Sequence, residues 1–198
     1  MSRFETRSSL RNHYYGMRHG ESRANFAGII VSAPENGVRE GYGLTEKGIY
    51  QACTAATEST LNADTIIYSS DFSRARHTAD VVSGMIGADA INLDIALRER
   101  FFGQHELKSS ALYQQVWSAD EQDPTHCNDR VESVQSVLGR VGCFIDQLES
   151  IHQNQTILLV SHGDTLQIAQ AGFENVDQRN HRQLQHFDNG EIRTLQLK

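Results

Sequence analysis

Two apolar runs in the sequence each end in a histidine that is followed by a glycine. Residues 14–20 read YYGMRHG, and residues 157–163 read ILLVSHG. A third run, residues 66–74, reads IIYSSDFSR and ends in an arginine on the predicted first turn of a helix. Because ligands bind beyond the carboxyl ends of the strands in an open α/β sheet, we expect these strand ends to meet at one edge. The side chains expected there are Arg18, His19, Arg74 and His162.

Two arginines and two histidines at one place are suited to phosphoryl chemistry. Guanidinium groups bind phosphate through bidentate, charge-assisted hydrogen bonds. An unprotonated imidazole can attack phosphorus, and a protonated second imidazole can stabilise the oxygens of the transferring group. The leaving oxygen also needs a carboxylic acid as its proton donor. Glycine after each histidine, at Gly20 and Gly163, is expected to let the backbone approach the ligand.

Each of these residues alone has an ordinary structural interpretation. A single Arg-His-Gly triplet is common, a lone His162 is most often a satisfied residue at a strand end, and a lone Arg74 is most often solvated. A metal site is the competing use of histidine, but the sequence has no H-x-x-x-H pattern and no histidine–carboxylate spacing typical of one. The three segments together are a stronger signal than any one of them, and we predict no metal and no cofactor.

The composition is that of a globular protein of moderate size. The chain has 198 residues, of which 38% are apolar and 22% charged, and its formal net charge is −7. This charge argues against a nucleic-acid or membrane-surface binder, since such proteins carry a basic face. The three cysteines, without a C-x-x-C pair, predict free thiols in a reducing cytoplasm. Neither a secretory signal nor a membrane span of about 18 apolar residues is visible, and a homodimer is left open.

Strands and helices alternate along the chain, which favours an α/β fold with a mainly parallel sheet. Residues 1–11 are polar and are expected to be loosely attached. Thr45 is the predicted N-cap of the first long helix, and Asp129 with Glu132 is the predicted capping box of the last. Residues 103–127 are predicted to be an irregular insertion. The predicted strands are 13–17, 63–70, 90–97, 155–163 and 191–197, and the predicted helices are 44–61, 71–87 and 129–152.

Six segments carry a family likeness: MRHGES (17–22), GLTEKGIYQA (43–52), SSDFSRARHTA (69–79), LRERFFG (97–103), VESVQSVLGR (131–140) and VSHGDTLQ (160–167). In this order they resemble the histidine phosphatase superfamily, in its phosphoglycerate-mutase-like branch. The resemblance implies a three-layer α/β/α fold with a mainly parallel mixed sheet, and chemistry that needs no metal. It also implies a single domain over residues 1–198, with the insertion at 103–127 lying over the active site.

The resemblance also implies a role for each candidate residue. His19 matches the nucleophile that becomes phosphohistidine. Glu99 matches the general acid, which burial and a bound phosphate would keep protonated; a salt bridge to a neighbouring arginine is its alternative use, and Asp164 is the alternative acid. His105 follows the Glu99 loop and is expected within reach of a substrate, whereas the other histidines are expected mostly at the surface. The residues implied to hold the transferred phosphoryl group are Arg18, Asn25, Arg74, His162 and Gly163.

The same pocket can serve a phosphatase or a mutase. Mutases of this branch resemble L-N-E-R-H-Y-G at the acid loop, where this chain has Phe102 and so lacks the hydroxyl that contacts substrate. They also carry paired arginines that bind the substrate carboxylate, whereas residues 103–127 contain no arginine and one lysine, Lys108. We therefore expect a phosphatase that acts through phosphohistidine on a small phosphorylated metabolite. A cofactor-dependent phosphoglycerate mutase and a non-catalytic phosphoester-binding module are the alternatives.

Overall fold

A five-stranded mixed sheet forms the centre of the molecule. The computed structural model describes residues 9–198. Its strands are β1 (His13–Arg18), β2 (Ile66–Ser69), β3 (Asn92–Leu93), β4 (Thr156–Ser161) and β5 (Ile192–Leu195), in the spatial order β3-β2-β4-β1-β5. All neighbouring strands are parallel except β1 and β5, which are antiparallel. The predicted mainly parallel mixed sheet is therefore confirmed.

The register of the two central strands brings the two histidine motifs together. β1 and β4 lie side by side, and Arg18 pairs with Ser161 at their carboxyl ends. The next residue of each strand is therefore a histidine, His19 on one side and His162 on the other. The backbone amide of His19 donates to the carbonyl of Ser161 at 3.0 Å, which extends the ladder to the site itself.

Helices cover both faces of the sheet. They are α1 (Arg23–Ala27), α2 (Pro34–Gly37), α3 (Glu46–Glu58), α4 (Ser73–Ile86), α5 (Tyr113–Gln122), α6 (Val134–Ile151) and α7 (Gly163–Phe173), with short 3-10 turns between several of them. Residues Ile157 and Leu159 of β4 pack among α6 and α7, and the alternate residues Leu158 and Val160 pack among α3 and α4. Because successive strand residues point to opposite faces, the side chains of β4 contribute to both hydrophobic cores, one on each face of the sheet. The predicted three-layer arrangement is confirmed.

The helix ends follow local sequence signals, with one exception. Thr45 caps α3 as predicted, since its side chain accepts from the amide of Gly48. The chain leaves α4 through Gly87, which has a φ of 72° that favours glycine. The predicted capping box at Asp129 and Glu132 is wrong. Asp129 has a φ of 52°, and α6 is capped by Ser133 instead.

Two predicted segments differ in the structure. The predicted strand at 90–97 pairs only over Asn92–Leu93, because Asp94 accepts from the amide of Ala96 and turns the chain into a 3-10 helix. The segment 103–127 is not irregular, since it contains helix α5. That helix packs on a small third core, made by Ile30, Phe102, Val116 and Val131. The insertion is thus an ordered element with its own buried apolar contacts.

The described N-terminal residues are fixed to the sheet and to α6. The prediction of loose attachment for residues 1–11 lies outside the described residues for 1–8. For Arg11 it is wrong, because its backbone amide donates to Glu149 at 2.6 Å and its guanidinium donates to Gln153 at 2.8 Å. Within residues 9–198, no helix has both the length and the apolar character that crossing a membrane would require.

Candidate active site

The four side chains predicted from the strand ends lie together at the carboxyl edge of the sheet. The ring centroids of His19 and His162 are 5.1 Å apart. Arg74, on the first turn of α4, donates from Nε to Nε2 of His19 at 3.0 Å. His19, Arg74 and His162 are all at least 97% buried. Arg18, His19 and Arg74 line a cavity of about 260 Å³.

A larger groove elsewhere lacks the groups for this chemistry. It has about 560 Å³ and lies between α3 and β5, and no histidine or arginine lines it. Nor do residues 9–198 contain a group of three or more His, Cys, Asp or Glu side chains arranged to hold a metal ion. The convergent cationic and imidazole groups are in the smaller cavity, which is therefore the candidate active site.

His19 presents an unprotonated ring nitrogen. Its Nδ1 lies 2.7 Å from the carbonyl oxygen of Gly20, and a carbonyl can only accept, so Nδ1 carries the proton. Nε2 consequently holds the lone pair, which accepts from Arg74. Burial, followed by the charges of Arg74 and Arg18, holds the pKa of His19 well below its ordinary value. The imidazole is thus neutral near pH 7 and available as a nucleophile at Nε2.

The surroundings of His162 disfavour the protonated form that the sequence reasoning assigned to the second imidazole. Burial, together with Arg74 and His19, holds its pKa well below the ordinary value. Its Nε2 lies 2.9 Å from the hydroxyl of Ser70, which already accepts from the amide of Phe72. The hydroxyl of Ser70 can donate to Nε2 in the tautomer that has the proton of His162 on Nδ1, and it can accept from Nε2 in the other tautomer. Buried in a cationic site, the imidazole still supplies a neutral N–H donor.

Three buried side-chain nitrogens around His19 have no partner among residues 9–198. They are Nε of Arg18, Nη1 of Arg74 and Nδ1 of His162. A buried donor left without an acceptor costs about 1–3 kcal/mol, and more when it is charged. Since Arg18 and Arg74 both line the cavity and can only donate, the site is suited to a ligand with acceptor oxygens and negative charge.

A histidine that the sequence reasoning assigned to the surface holds Arg18 in place. Nη1 of Arg18 lies 2.8 Å from Nε2 of His186 and 2.8 Å from the carbonyl oxygen of Phe187. An arginine can only donate, so Nε2 of His186 accepts. Burial, followed by the charge of Arg18, lowers the pKa of His186 to about 4, which keeps this acceptor neutral. No local motif marks His186, because it reaches the site only through the return of the chain into β5.

Glu99 lines the cavity and makes no salt bridge within the described chain. Its Oε1 accepts from the amide of Arg100 at 2.9 Å and lies 3.3 Å from the hydroxyl of Thr165. The neighbouring arginines pair elsewhere, Arg98 with Asp71 and Arg100 with Asp120. Burial, followed by the charge of Asp164, raises the pKa of Glu99. The shift is in the direction that a general acid requires, because it extends the protonated form to higher pH.

Asp164, the alternative acid, is occupied by hydrogen-bond donors. It accepts from the indole of Trp117 at 2.9 Å, from Arg100 at 3.3 Å and from Arg182 at 3.3 Å. Although it borders the cavity, its role in the structure is to join α5, α7 and the 3-10 turn at 178–183. Glu99 is the better-placed proton donor.

The remaining histidines are less exposed than predicted. His105 is buried, its Nε2 lies 3.4 Å from Asp129, and it is not among the residues that line the cavity. His126 and His181 are also buried, beside Asp120. These side chains serve the packing of the insertion, which the local sequence did not indicate.

Asn25 and the two glycines have different surroundings. Asn25 lines the cavity, and its Oδ1 accepts from the amide and hydroxyl of Ser22, so its Nδ2 donor is left for a ligand. A Cβ on Gly20 would lie 2.2 Å from the carbonyl oxygen of Gly48, so this glycine allows close packing on α3 rather than access of a ligand. Gly163 does border the cavity, where a Cβ would come within 3.4 Å of Nε of Arg18.

Three residues of the insertion also line the cavity, and the sequence reasoning missed them. They are Ser110, Tyr113 and Trp117. The rings of Tyr113 and Trp117 stack with an interplanar angle of 7° and a centroid separation of 5.4 Å. Their spacing of four residues on one helix was the available signal, because it places both rings on one face.

A neutral imidazole, two guanidinium groups and a carboxyl group with a raised pKa lie together at the edge of an α/β sheet, an arrangement suited to phosphate esters. The chain belongs to the histidine phosphatase superfamily (branch 1), whose family model matches residues 14–198. The resemblance stated from the sequence motifs is thereby confirmed.

Named relatives and solved structures agree with this membership. The chain is 33% identical over 161 residues to the adenosylcobalamin/alpha-ribazole phosphatase of Salmonella typhimurium, covering 77% of this chain and 74% of the relative. It is 31% identical over 158 residues to the "Probable phosphoglycerate mutase GpmB" of Escherichia coli, covering 77% and 70%. The structure of the alpha-ribazole phosphatase from Shigella flexneri superposes with a TM-score of 0.72 at 27% identity, covering 92% and 89%. The predicted class, a phosphatase of this superfamily, is confirmed, and mutases are among its relatives.

Proposed function

We propose that this protein hydrolyses a small phosphate monoester through a covalent phosphohistidine on His19, without a metal ion. The observation that carries the proposal is the pair of unpartnered buried guanidinium donors, on Arg18 and Arg74, beside the neutral imidazole of His19 in one cavity. Arg18, Arg74 and His162 bind the oxygens of the phosphoryl group, with further donors from Asn25 and from the first turn of α7 at Gly163. The positive charge that a metal would supply comes from the two guanidinium groups.

In the first step Nε2 of His19 attacks phosphorus, and the bond between phosphorus and the ester oxygen breaks. Glu99 gives its proton to that oxygen, so the leaving group departs as a neutral alcohol. Arg74 releases Nε2 as its guanidinium turns to the phosphoryl oxygens. The donors of Arg18 and His162 stabilise the charge that develops on those oxygens in the transition state.

In the second step water attacks the phosphohistidine. Glu99, now a carboxylate, accepts a proton from the water, and the bond between phosphorus and Nε2 breaks. Inorganic phosphate leaves, and His19 and protonated Glu99 are restored. The protein ends the cycle unchanged, and the net reaction is the addition of water across the ester bond.

Hydrolysis is favoured over the mutase reaction by the lining of the cavity. Within residues 9–198, the guanidinium groups that line it are Arg18 and Arg74, both beside the nucleophile. The neighbouring Arg182 is bonded to Asp164 and Gln167. The carboxylate of a phosphoglycerate would therefore have no further unpaired arginine in the cavity lining to bind it, and burying an unpaired carboxylate strongly disfavours binding of that substrate.

The test is phosphate release from a panel of phosphate monoesters in EDTA buffer, including 3-phosphoglycerate, sugar phosphates, nucleotides and p-nitrophenyl phosphate. We expect metal-independent release that is abolished in His19→Ala. His13→Ala is the matched control, because His13 is exposed at the opposite end of β1. Release that needs added metal, or that survives in His19→Ala, would contradict the mechanism.

Trapping the intermediate separates the alternatives. A phosphate ester labelled at phosphorus, quenched during turnover, should leave label on the protein that survives alkali and is lost in acid, as phosphohistidine behaves. Transfer of that label to a phosphoglycerate instead of water would identify a mutase. Saturable binding of esters with no labelled protein would identify a binding module.

The compartment and the assembly state stay predictions. In the described chain Cys53, Cys127 and Cys143 are free, in agreement with the predicted free thiols. We propose a reducing compartment such as the cytoplasm on that basis. A homodimer and the absence of nucleic-acid binding are likewise expectations from the sequence.

A further inference from the structure

The Tyr113 side chain lines the cavity and carries a hydroxyl. Tyr113 is the first residue of α5 and is half-buried in the cavity wall. Within residues 9–198 its hydroxyl makes no hydrogen bond, although its ring packs against two other aromatic side chains. Holding a hydroxyl in a partly dry cavity without a protein partner is unfavourable, unless a ligand or water completes it.

The aromatic ring of Tyr113 is locked in its position. It stacks on Trp117 at 5.4 Å, and Phe102 meets it edge-on at a centroid distance of 4.7 Å. The guanidinium of Arg182 lies 3.6 Å from the centre of the Trp117 ring. At that distance it would clash with the Tyr113 ring if both lay on the same face of the indole, so the two groups cover opposite faces. Both faces of the indole are therefore covered, and the wall offers no open aromatic face for a planar leaving group.

Tyr113 shares the cavity with the proposed general acid, because Tyr113 and Glu99 both line it. Burial raises the pKa of Tyr113, so the phenol is neutral and able to donate at any physiological pH. Since Glu99 gives its proton to the leaving oxygen in the proposed mechanism, a hydroxyl in the same cavity is available to the leaving group.

The cavity limits the leaving group in size and charge. Its volume of about 260 Å³ is below the roughly 300–1,000 Å³ of pockets for drug-sized ligands. Both guanidinium groups in its lining lie at the phosphoryl end. The lining also contains two side chains that carry a hydroxyl, Ser110 and Tyr113, and the apolar side chain of Ile29.

We propose that Tyr113 determines substrate specificity by donating its hydroxyl to a compact, uncharged leaving group that carries a hydroxyl on the carbon next to the ester. This inference rests on the proposed phosphatase function and adds the class of substrate, a phosphate monoester of a small polyol or sugar. Helix α5 would then be the element that recognises the leaving group. The sequence analysis assigns this helix to the insertion.

The test compares two substrates that differ in one hydroxyl, 1,2-propanediol 1-phosphate and propyl phosphate. We expect the wild-type protein to favour the diol ester in kcat/KM by about threefold to tenfold, as one hydrogen bond between neutral groups contributes. Tyr113→Phe should bring this ratio close to one, because kcat/KM on the diol ester should fall more than kcat/KM on propyl phosphate. Tyr50→Phe makes the same chemical change at an exposed site outside the cavity and should preserve the ratio.

Inhibition by inorganic phosphate tells which part of the substrate Tyr113 contacts. The inhibition constant should be the same for wild type and Tyr113→Phe, since the phosphoryl pocket is intact. A wild-type ratio near one, a ratio unchanged in Tyr113→Phe, or a weakened phosphate inhibition would each overturn the assignment. If the wild-type protein releases phosphate from neither ester nor from any other compound, it is the proposed function that fails, and this inference with it.

Discussion

A buried ion pair holds the insertion onto the rest of the protein, and removing one partner should destabilise the fold strongly. The two oxygens of Asp120, on α5, each accept from the guanidinium of Arg100 at 2.7 Å, and Oδ1 also lies 2.8 Å from Nε2 of His126. Arg100 and Asp120 are both completely buried. In Asp120→Asn an amide N–H group would face a guanidinium N–H group, and the arginine charge would lose its bidentate partner.

The expected loss follows from these contacts. Breaking a buried pair by removing one partner costs about 3–5 kcal/mol in the free energy of unfolding. For a protein of this length each kcal/mol lowers Tm by about 2–4 °C, so Asp120→Asn should unfold about 6–20 °C below the wild type. The pairing with Asp164 at 3.3 Å is a weaker contact and does not replace the lost one.

Thermal unfolding and urea unfolding, followed by circular dichroism, measure this effect directly. Glu121→Gln is the matched control, because it removes an exposed carboxylate from the next position of the same helix and should change Tm by little. A loss below about 1 kcal/mol in Asp120→Asn would refute the reasoning, since it would place the pair in the range of exposed salt bridges.

Two further predictions concern the chemistry. Because burial raises the pKa of Glu99, activity on an alkyl phosphate should fall only as pH rises through that raised value. In Glu99→Gln this alkaline limb of the pH–activity profile should be absent, and kcat should fall by about 10²–10⁴-fold. The loss of kcat should be smaller on p-nitrophenyl phosphate. A limb that persists in Glu99→Gln would assign the titration to another group. His186→Leu removes the acceptor that holds Arg18, so inorganic phosphate should inhibit more weakly, whereas His186→Gln should restore inhibition. With a His186 pKa of about 4, this support should be lost only in acid, which a pH series of the inhibition constants checks.

Much of the framework was predictable because its signals are local. The apolar runs at 13–17 and 155–163 are strands in the structure, and the helix cap at Thr45 and the helix end at Gly87 fall where the sequence places them. The strand predicted at 90–97 is shorter in the structure, because the side chain of Asp94 accepts from the amide of Ala96 and turns the chain away from the sheet. Such a short-range hydrogen bond competes with β pairing without changing the apolar pattern.

The helix at 113–122 was missed because its pattern is weak. Val116 and Asp120 are both buried in it, so its inner face mixes an apolar and a charged residue. The charged residue is stable there only because Arg100, twenty positions earlier, reaches it. A local hydrophobic pattern does not contain that pairing, since it depends on where the two elements meet in the folded chain.

The sequence by itself determined which residues are candidates for the chemistry. Arg18, His19, Arg74 and His162 follow from residue types near the ends of apolar strands, and Glu99 follows from the resemblance to the family. Tertiary structure alone decided their chemical state. The neutral form of His162 results from burial beside Arg74, and Arg18 is held by His186, 168 positions later in the chain. The Tyr113 side chain lines the same cavity from a helix of the insertion. Desolvation and contacts between distant segments exist only after the chain has folded. For that reason they are not predictable from local sequence patterns.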